Sequence, residues 1–136
     1  MATVGDLAKG LQRRGETISG LRCYDIMSPK PEPPALCVSG PVRWTYDETM
    51  EGVWRPVFEL WLYVNPANLV DAQRQLFAYV APSGRQSVPA ALYADTSLGD
   101  TAYDVKVLGG SRATQVVETA GGSLLALALE VEVWAM

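Results

Sequence analysis

The chain has 136 residues, 49% of them hydrophobic and 19% charged, a balance that suits one folded domain and excludes a disordered tail. Its formal net charge is −4 and its eleven basic residues are scattered, which excludes a protein that coats nucleic acid. It has no histidine and two cysteines, too few soft ligands for a zinc site and no imidazole to serve as general base.

Taken in chain order, residues 3–14 predict an amphipathic helix, because Val4, Leu7, Ala8 and Leu11 fall at i, i+3, i+4 and i+7. Thr3 and Asp6 have the spacing of a capping box, Lys9, Arg13 and Arg14 lie toward the negative end of the helix dipole, and Gly15 is placed to stop the helix. Asp6 also interrupts any basic-then-apolar leader. No apolar run nears the roughly 20 residues of a membrane span, so a soluble protein made in the cytoplasm, with no membrane partner, is expected.

A short strand is predicted around Leu21–Ile26. The following "MSPKPEPPALCVSGP" excludes helix interior and central strand through Pro29, Pro31, Pro33 and Pro34, and reads as an extended, polyproline-like crossing before a strand resumes at Ala35–Val38. Cys23 and Cys37 fall in these two strands. They pair only if the strands align them; two buried free thiols is the plainer reading.

"RPVFELWLYV", Arg55–Val64, is a strong strand signal, with Phe58, Leu60, Leu62 and Val64 on one face and Val57, Glu59, Trp61 and Tyr63 on the other. Asn65-Pro66 reads as a helix opening. Leu69, Ala72, Leu76 and Val80 make the apolar stripe of a helix reaching about Tyr79, with Val70 and Phe77 beside it.

The next stretch, "APSGRQSVPAALYAD" (81–95), invites three readings: a phosphate cradle, a nucleophile, or a turn. It follows a helix, holds one glycine and lacks the Gly-Lys-Ser/Thr ending of a phosphate loop. Ser83 and Ser87 have no general base beside them in any motif. The structural reading uses every residue: Pro82 and Gly84 turn the chain, Ser87 caps a short helix, and Pro89 sits in its first turn.

The C-terminal third reads as β-structure: strands at Ala102–Leu108 and Arg112–Glu118, separated by Gly109-Gly110, then a turn over Thr119–Gly122 and a long strand Ser123–Trp134. In that last strand Leu125, Leu127, Leu129, Val131 and Val133 face one way, and Leu124, Ala126, Ala128, Glu130, Glu132 and Trp134 the other. The first row is expected to anchor the core, each large member contributing roughly 1.5–3 kcal/mol on burial.

Two groups of acids stand out, Glu130 with Glu132, and Asp47, Glu48 and Glu51 in a loop. The loop lacks the alternating ligands of a calcium site, and solvated or ion-paired acids is the plainer reading of both. Trp44, Trp54, Trp61 and Trp134 are many tryptophans for this length. Core packing accounts for some of them. If helices cover one face of the sheet only, Trp61 and Trp134 with Tyr63 are free to meet another subunit.

In order along the chain, the leading helix, "GLRCYDIMSPKPEPPALCVSGP", "TYDETM", "VFELWLYV" with "DAQRQLFAYV", "SGRQSVPAALYADTSLG" and the closing β-hairpin resemble the tail terminator proteins of long-tailed (siphovirus-type) bacteriophages, particularly those infecting actinobacteria. The likeness is one of overall layout and carries no catalytic signature. It implies a single α+β domain over residues 1–136, with a mixed, mainly antiparallel sheet packed on one side by an N-terminal helix and a central helix. It also implies a virion protein assembled in the host cytoplasm. Such a protein forms a homohexameric ring at the head-proximal end of the tail tube, halts polymerisation of the tube protein and docks the head-closure or neck protein. DNA would pass through the lumen without specific binding, and no cofactor, metal or catalytic residue is implied. Trp54, Trp61, Tyr63 and Trp134 are the interface candidates, since a ring contact needs two different patches on each subunit. The alternatives are another neck component (a head-closure or tail-completion protein), a small-ligand-binding or enzymatic α/β domain, and a DNA-binding accessory protein.

Overall fold

The computed structural model describes residues 3–46, 54–110 and 114–135. It is an α+β domain: three helices lean on one face of a six-stranded mixed sheet. The helices are α1 (Val4–Gly15), α2 (Leu69–Val80) and α3 (Val88–Tyr93). The strands are β1 (Arg22–Tyr24), β2 (Ala35–Tyr46), β3 (Trp54–Val64), β4 (Ala102–Gly110), β5 (Gln115–Thr119) and β6 (Gly122–Ala135).

The sheet runs β1-β2-β3-β6-β4, with β5 also on β6. Among the described residues, only β1 and β2 pair in parallel. Because β6 is 14 residues long, β5 occupies its first half and β4 its second half on the same edge, while β3 covers the other edge. The core rests on the register of β3 with β6: Phe58 opposes Val131, Leu60 opposes Leu129, Leu62 opposes Leu127 and Val64 opposes Leu125. All of these except Leu127, which is half-buried, are buried, and Leu36 and Val38 of β2 extend the layer.

α1 supplies Leu7, Ala8 and Leu11, and its capping box forms as its spacing predicts: Asp6 N–H donates to Thr3 Oγ1 at 3.1 Å and Thr3 N–H to Asp6 Oδ2 at 3.0 Å. Gly15 lies inside the helix, whose cap is Glu16. α2 starts later than expected. Asn65 turns the chain by accepting from Ala67 N–H, and the cap is Asn68, which accepts from Asp71 N–H at 3.2 Å. Tyr79 joins Ala72 and Leu76 in the core, whereas Leu69, in the first turn, is exposed.

The largest departure is β2, which continues eight residues past Val38. The chain passes Gly40-Pro41 by a register shift between Ser39 and Arg43 and resumes pairing, Arg43 with Val57, Trp44 with Pro56 and Tyr46 with Trp54. Ser-Gly-Pro reads as a stop because proline cannot donate to a ladder, yet an irregularity on an edge strand accommodates it. Past Cys37, the last residue paired with β1, β2 is the outer strand of the sheet, lying beside a β3 that stays paired with β6 through Trp54 and Ala135. At the other end β1 is shorter than expected, three residues, and its N–H of Arg22 donates to Pro34 carbonyl at 3.1 Å across the proline crossing.

α1 is held close to the turn before β4. A methyl added at Gly10 would lie 2.8 Å from Leu98 Cβ and 3.0 Å from the Leu98 carbonyl oxygen. Leu98 is buried with φ of 50°, a left-handed conformation costly for leucine and held by Thr101 Oγ1–H donating to its carbonyl at 3.0 Å. Gly10→Ala therefore destabilises the fold by about 1–3 kcal/mol from overpacking, against about 1 kcal/mol gained in helix propensity, so the net effect is a loss. Leu60→Ala, which empties the centre of the β3–β6 layer, costs about 2–5 kcal/mol. Urea unfolding of both variants checks the sign and the order.

Candidate functional site

The stretch 81–95 is fully occupied by structure. Ser87 is buried, accepts from Ala90 N–H at 3.0 Å to cap α3, and donates its own hydroxyl to the Ala81 carbonyl. Its oxygen is thus held on both sides. Arg14 of α1 donates through Nε to the Ala91 carbonyl at 2.9 Å, tying α3 to α1. Asp95 accepts from Ser97 Oγ–H at 2.6 Å and Ser97 N–H at 3.1 Å, bonds that hold its carboxyl below the ordinary range and make it a turn-former.

Cys23 and Cys37 are free thiols on opposite faces of the sheet. Register sets Cys23 opposite Leu36 and Tyr24 opposite Cys37, so adjacent strands do not align the two sulfurs. Cys23 packs toward the helices near Gly15, and Cys37 lies in the second, smaller cluster. Burial pushes Cys23 up to about 12 and raises Cys37 as well.

That second cluster occupies the helix-free face. Ala35, Cys37, Tyr63, Leu124 and Ala126 form its centre, with Tyr24, Trp61 and Val117 packed against it. The proline crossing lies at this end: the Pro29 carbonyl accepts from Ala120 N–H at 2.9 Å. Between the crossing and the β5–β6 turn is a recess of about 210 Å³ bordered by Lys30, Glu32, Asn65, Thr119 and Ser123. Several of its polar groups serve one another or the turn. Glu32 faces Arg22 at 3.5 Å, Thr119 hydroxyl donates to the Gly122 carbonyl at 2.8 Å, and Ser123 hydroxyl donates to Glu118 at 2.6 Å.

Farther along the same face the character turns polar. Glu130 receives both Arg43 guanidinium nitrogens, at 2.8 and 3.4 Å, across the intervening β3, and Glu132 opposes Lys106 of β4. The pair Glu130/Glu132 is therefore ion-paired on one member. Asp47, Glu48 and Glu51 lie outside the described residues. Among the described residues no three His, Cys, Asp or Glu side chains gather as metal ligands, and no helix is long and apolar enough to cross a membrane.

The four interface candidates do not make one surface. Trp61 and Tyr63 stack, with centroids 6.2 Å apart, but Tyr63 keeps 6% of its surface and supports Trp61 from beneath. Trp134 is half-buried on the same face, six residues along β6 from the partner of Trp61, about 20 Å away at strand spacing. Trp54 is on the opposite, helix-side face, packed against the main core and stacked on Tyr46 at 6.4 Å.

The exposed aromatics lie elsewhere: Trp44 and Tyr46 on the outer strand β2, Phe77 on α2, Tyr93 on α3 and Tyr103 on β4. Trp44 is 54% and Tyr46 69% exposed, and both share the helix side with their partners Pro56 and Trp54. Composition alone hides this pair, because exposure depends on where the helices stop. A second apolar patch covers the outer side of α2, where Leu69, Val70 and Phe77 are each more than half exposed.

The far sheet edge, in contrast, is closed to pairing. β4 has register shifts at Ala102/Asp104 and Val107/Gly109; Val105 N–H donates to Asp104 Oδ1 and Val107 N–H to the Tyr93 hydroxyl, each at 2.9 Å. Irregularities and self-satisfied donors are how edges avoid adding a foreign strand. The sequence matches no protein-family model and no curated protein.

The buried thiols give a measurable signature. With Cys23 raised from 9.0 to about 12, its thiolate fraction at neutral pH falls about a thousand-fold, so thiol reagents label the native chain far more slowly than the urea-unfolded one. Burial also raises Tyr63 from 10.0 to about 12. Both groups lose protons in the unfolded chain first, so stability falls as pH rises from about 9 to 12, and neither contributes a slope below that window. Melting temperatures across alkaline pH check the direction.

Proposed function

We propose that this chain is a structural ring protein of the tail-terminator kind, capping the head-proximal end of a phage tail tube and presenting the surface that joins the head. The observation that carries this reading is the exposed aromatic pair of β2. Trp44 and Tyr46 stand on the outer strand of the sheet, each more than half exposed, where monomer stability gains little from them. Aromatics with a rigid strand backbone make strong anchors for a partner, since little side-chain entropy is lost on docking.

Two further features support it. Ser87, the hydroxyl best placed to be read as a nucleophile, is committed to the fold on both sides. The polar end of the helix-free face carries Glu59, Glu130 and Glu132 against Arg43 and Lys106, no positive excess, so a channel lined by it would let DNA slide past. The likeness in segment order to tail terminators supplies the biological setting, and assembly of the tube protein and the neck around the ring follows from it.

Electron microscopy of the purified protein, alone and with tail tubes, tests the reading. Rings on one end of each tube, and tubes that no longer lengthen, are expected. Rings that ignore tube ends but bind the head's neck complex would move the reading to a head-closure or tail-completion protein, and turnover of a substrate by clean protein would end it.

A further inference from the structure

We propose that the outer segment of β2, Arg43–Tyr46, has two available registers on β3, two residues apart, and that the clasp of Arg43 on Glu130 selects between them. The inner part of β2 has no such freedom. Ala35–Cys37 is paired on both sides, with β1 and with β3, and Leu36 and Val38 are buried in the core. Beyond Ser39, which opposes Glu59, the ladder breaks. Gly40, Pro41 and Val42 stand against Phe58 alone before Arg43 meets Val57, three residues against one, so β2 carries an excess of two at the break.

Alternation cannot detect an excess of two. A one-residue slip turns each side chain to the other face, whereas a two-residue slip returns it to the same face. With the break closed, the ladder of Ala35–Ser39 would run on with Pro41 opposite Val57, Arg43 opposite Arg55 and Trp44 opposite Trp54. Arg43 and Thr45 keep the helix-free face in both registers, and Trp44 and Tyr46 keep the helix side. Each of the two aromatics is more than half exposed, so burial says little about the choice. The polar groups make it.

Closing the break sets two guanidinium groups directly opposite each other, a destabilising like-charge pair, and puts Pro41, which has no N–H, into the ladder. The observed register carries Arg43 to Val57 instead. From there it reaches across β3 and donates through two nitrogens, at 2.8 and 3.4 Å, to the Glu130 carboxylate. It also meets a like-charge pair of opposite sign, for Glu59 of β3 directly opposes Glu130 of β6, with Glu132 two residues along. These three carboxylates hold Arg43 in its charged form, Glu130 most strongly. A two-residue slip takes Arg43 roughly 7 Å along the strand, away from all three. Lys106 of β4, opposite Glu132, stays where it is in either register.

The clasp is thus a register lock on the strand end that carries Trp44 and Tyr46, and it decides over which residues of β3 they lie. It belongs to the single chain and holds whether or not copies assemble or tubes are capped.

Amide exchange and cross-strand NOEs, both read by NMR, test it. Glu130→Gln and Arg43→Gln each remove one charge of the clasp. Each is expected to speed exchange of the β3-bonded amides within Arg43–Tyr46 about two- to fivefold, and the two together no further. Amides of Leu36, Val38 and Leu60 are expected to exchange as in wild type. About 1 M salt is expected to accelerate the same amides in wild type and to leave Glu130→Gln unmoved. Adding Arg55→Glu to Glu130→Gln removes the like-charge pair of the closed ladder and gives Arg43 a partner there, so NOEs between positions 43 and 55 are expected to replace those between Arg43 and Val57. Should Glu130→Gln fail to fold, Arg43→Gln reads the exchange and Arg55→Glu alone reads the register, with both sets of NOEs expected. Unchanged exchange in the single variants, effects that add in the double variant, acceleration spread evenly through the sheet, or a register that stays at Arg43–Val57 in the Arg55→Glu variants would overturn the proposal.

Discussion

The central constraint is the pairing of β3 with β6. It sets leucine and valine from both strands opposite one another on one face; α2 packs directly on that row, while α1 lies chiefly on β2 and α3 joins α1 to β4 within the same core. The pairing is antiparallel and unbroken from Val57 to Val64, so the alternation of each strand stays in phase with the other across the whole layer. A slip of one residue would bring Glu59, Trp61 and Tyr63 beneath the helices and expose Phe58, Leu60 and Leu62. The cost of burying Glu59 against apolar helices makes that register inaccessible. Once this pair is in place, α1, α2 and α3 need only present Leu7 and Leu11, Leu76 and Tyr79, and Val88 and Leu92 to the same surface.

The helix-free face follows from the same pairing by elimination. Its residues are small near β2 and β6, Ala35, Cys37, Ala126 and Ala128, so the Trp61–Tyr63 stack lies across them and buries them without a second helical layer. The proline crossing, pinned to the β5–β6 turn through Pro29 and Ala120, bounds this end. A chain segment rich in proline loses less entropy on being held extended than an ordinary loop, which suits it to that place. Toward Glu130 and Glu132 the apolar cover stops and the face becomes a charged band tied by Arg43.

Much of this was legible in the sequence, because the signals are periodic. The alternation in Arg55–Val64 and Ser123–Trp134 assigned the buried faces, and the Thr3–Asp6 box and Ser87 cap marked two helix starts. What escaped did so for local reasons. Asn65 and Asn68 both carry a capping side chain, and only the path of the chain decides between them. Ser39-Gly40-Pro41 reads as a stop, whereas an edge strand with an irregular register passes through it. Leu69 fits the apolar stripe by angle yet is exposed in the first turn. The exposure of Trp44 and Tyr46 was beyond reach for the same reason: a strand residue's partner can be inferred from alternation, but the outline of the helical layer above it cannot.

The two edges of the sheet are treated differently. At β4 the donors of Val105 and Val107 are each satisfied by a side chain, and irregular register bends the edge away from a straight template. The outer strand β2 shows the opposite treatment. It is paired with β3 over Arg43–Tyr46, which gives it a defined backbone, yet Trp44 and Tyr46 are left facing water. Leaving Trp and Tyr in solvent forgoes the roughly 1.5–3 kcal/mol that burial of a large apolar side chain contributes, and offers an aggregation-prone surface in exchange. On the reading proposed above, a partner surface covers Trp44 and Tyr46 after folding.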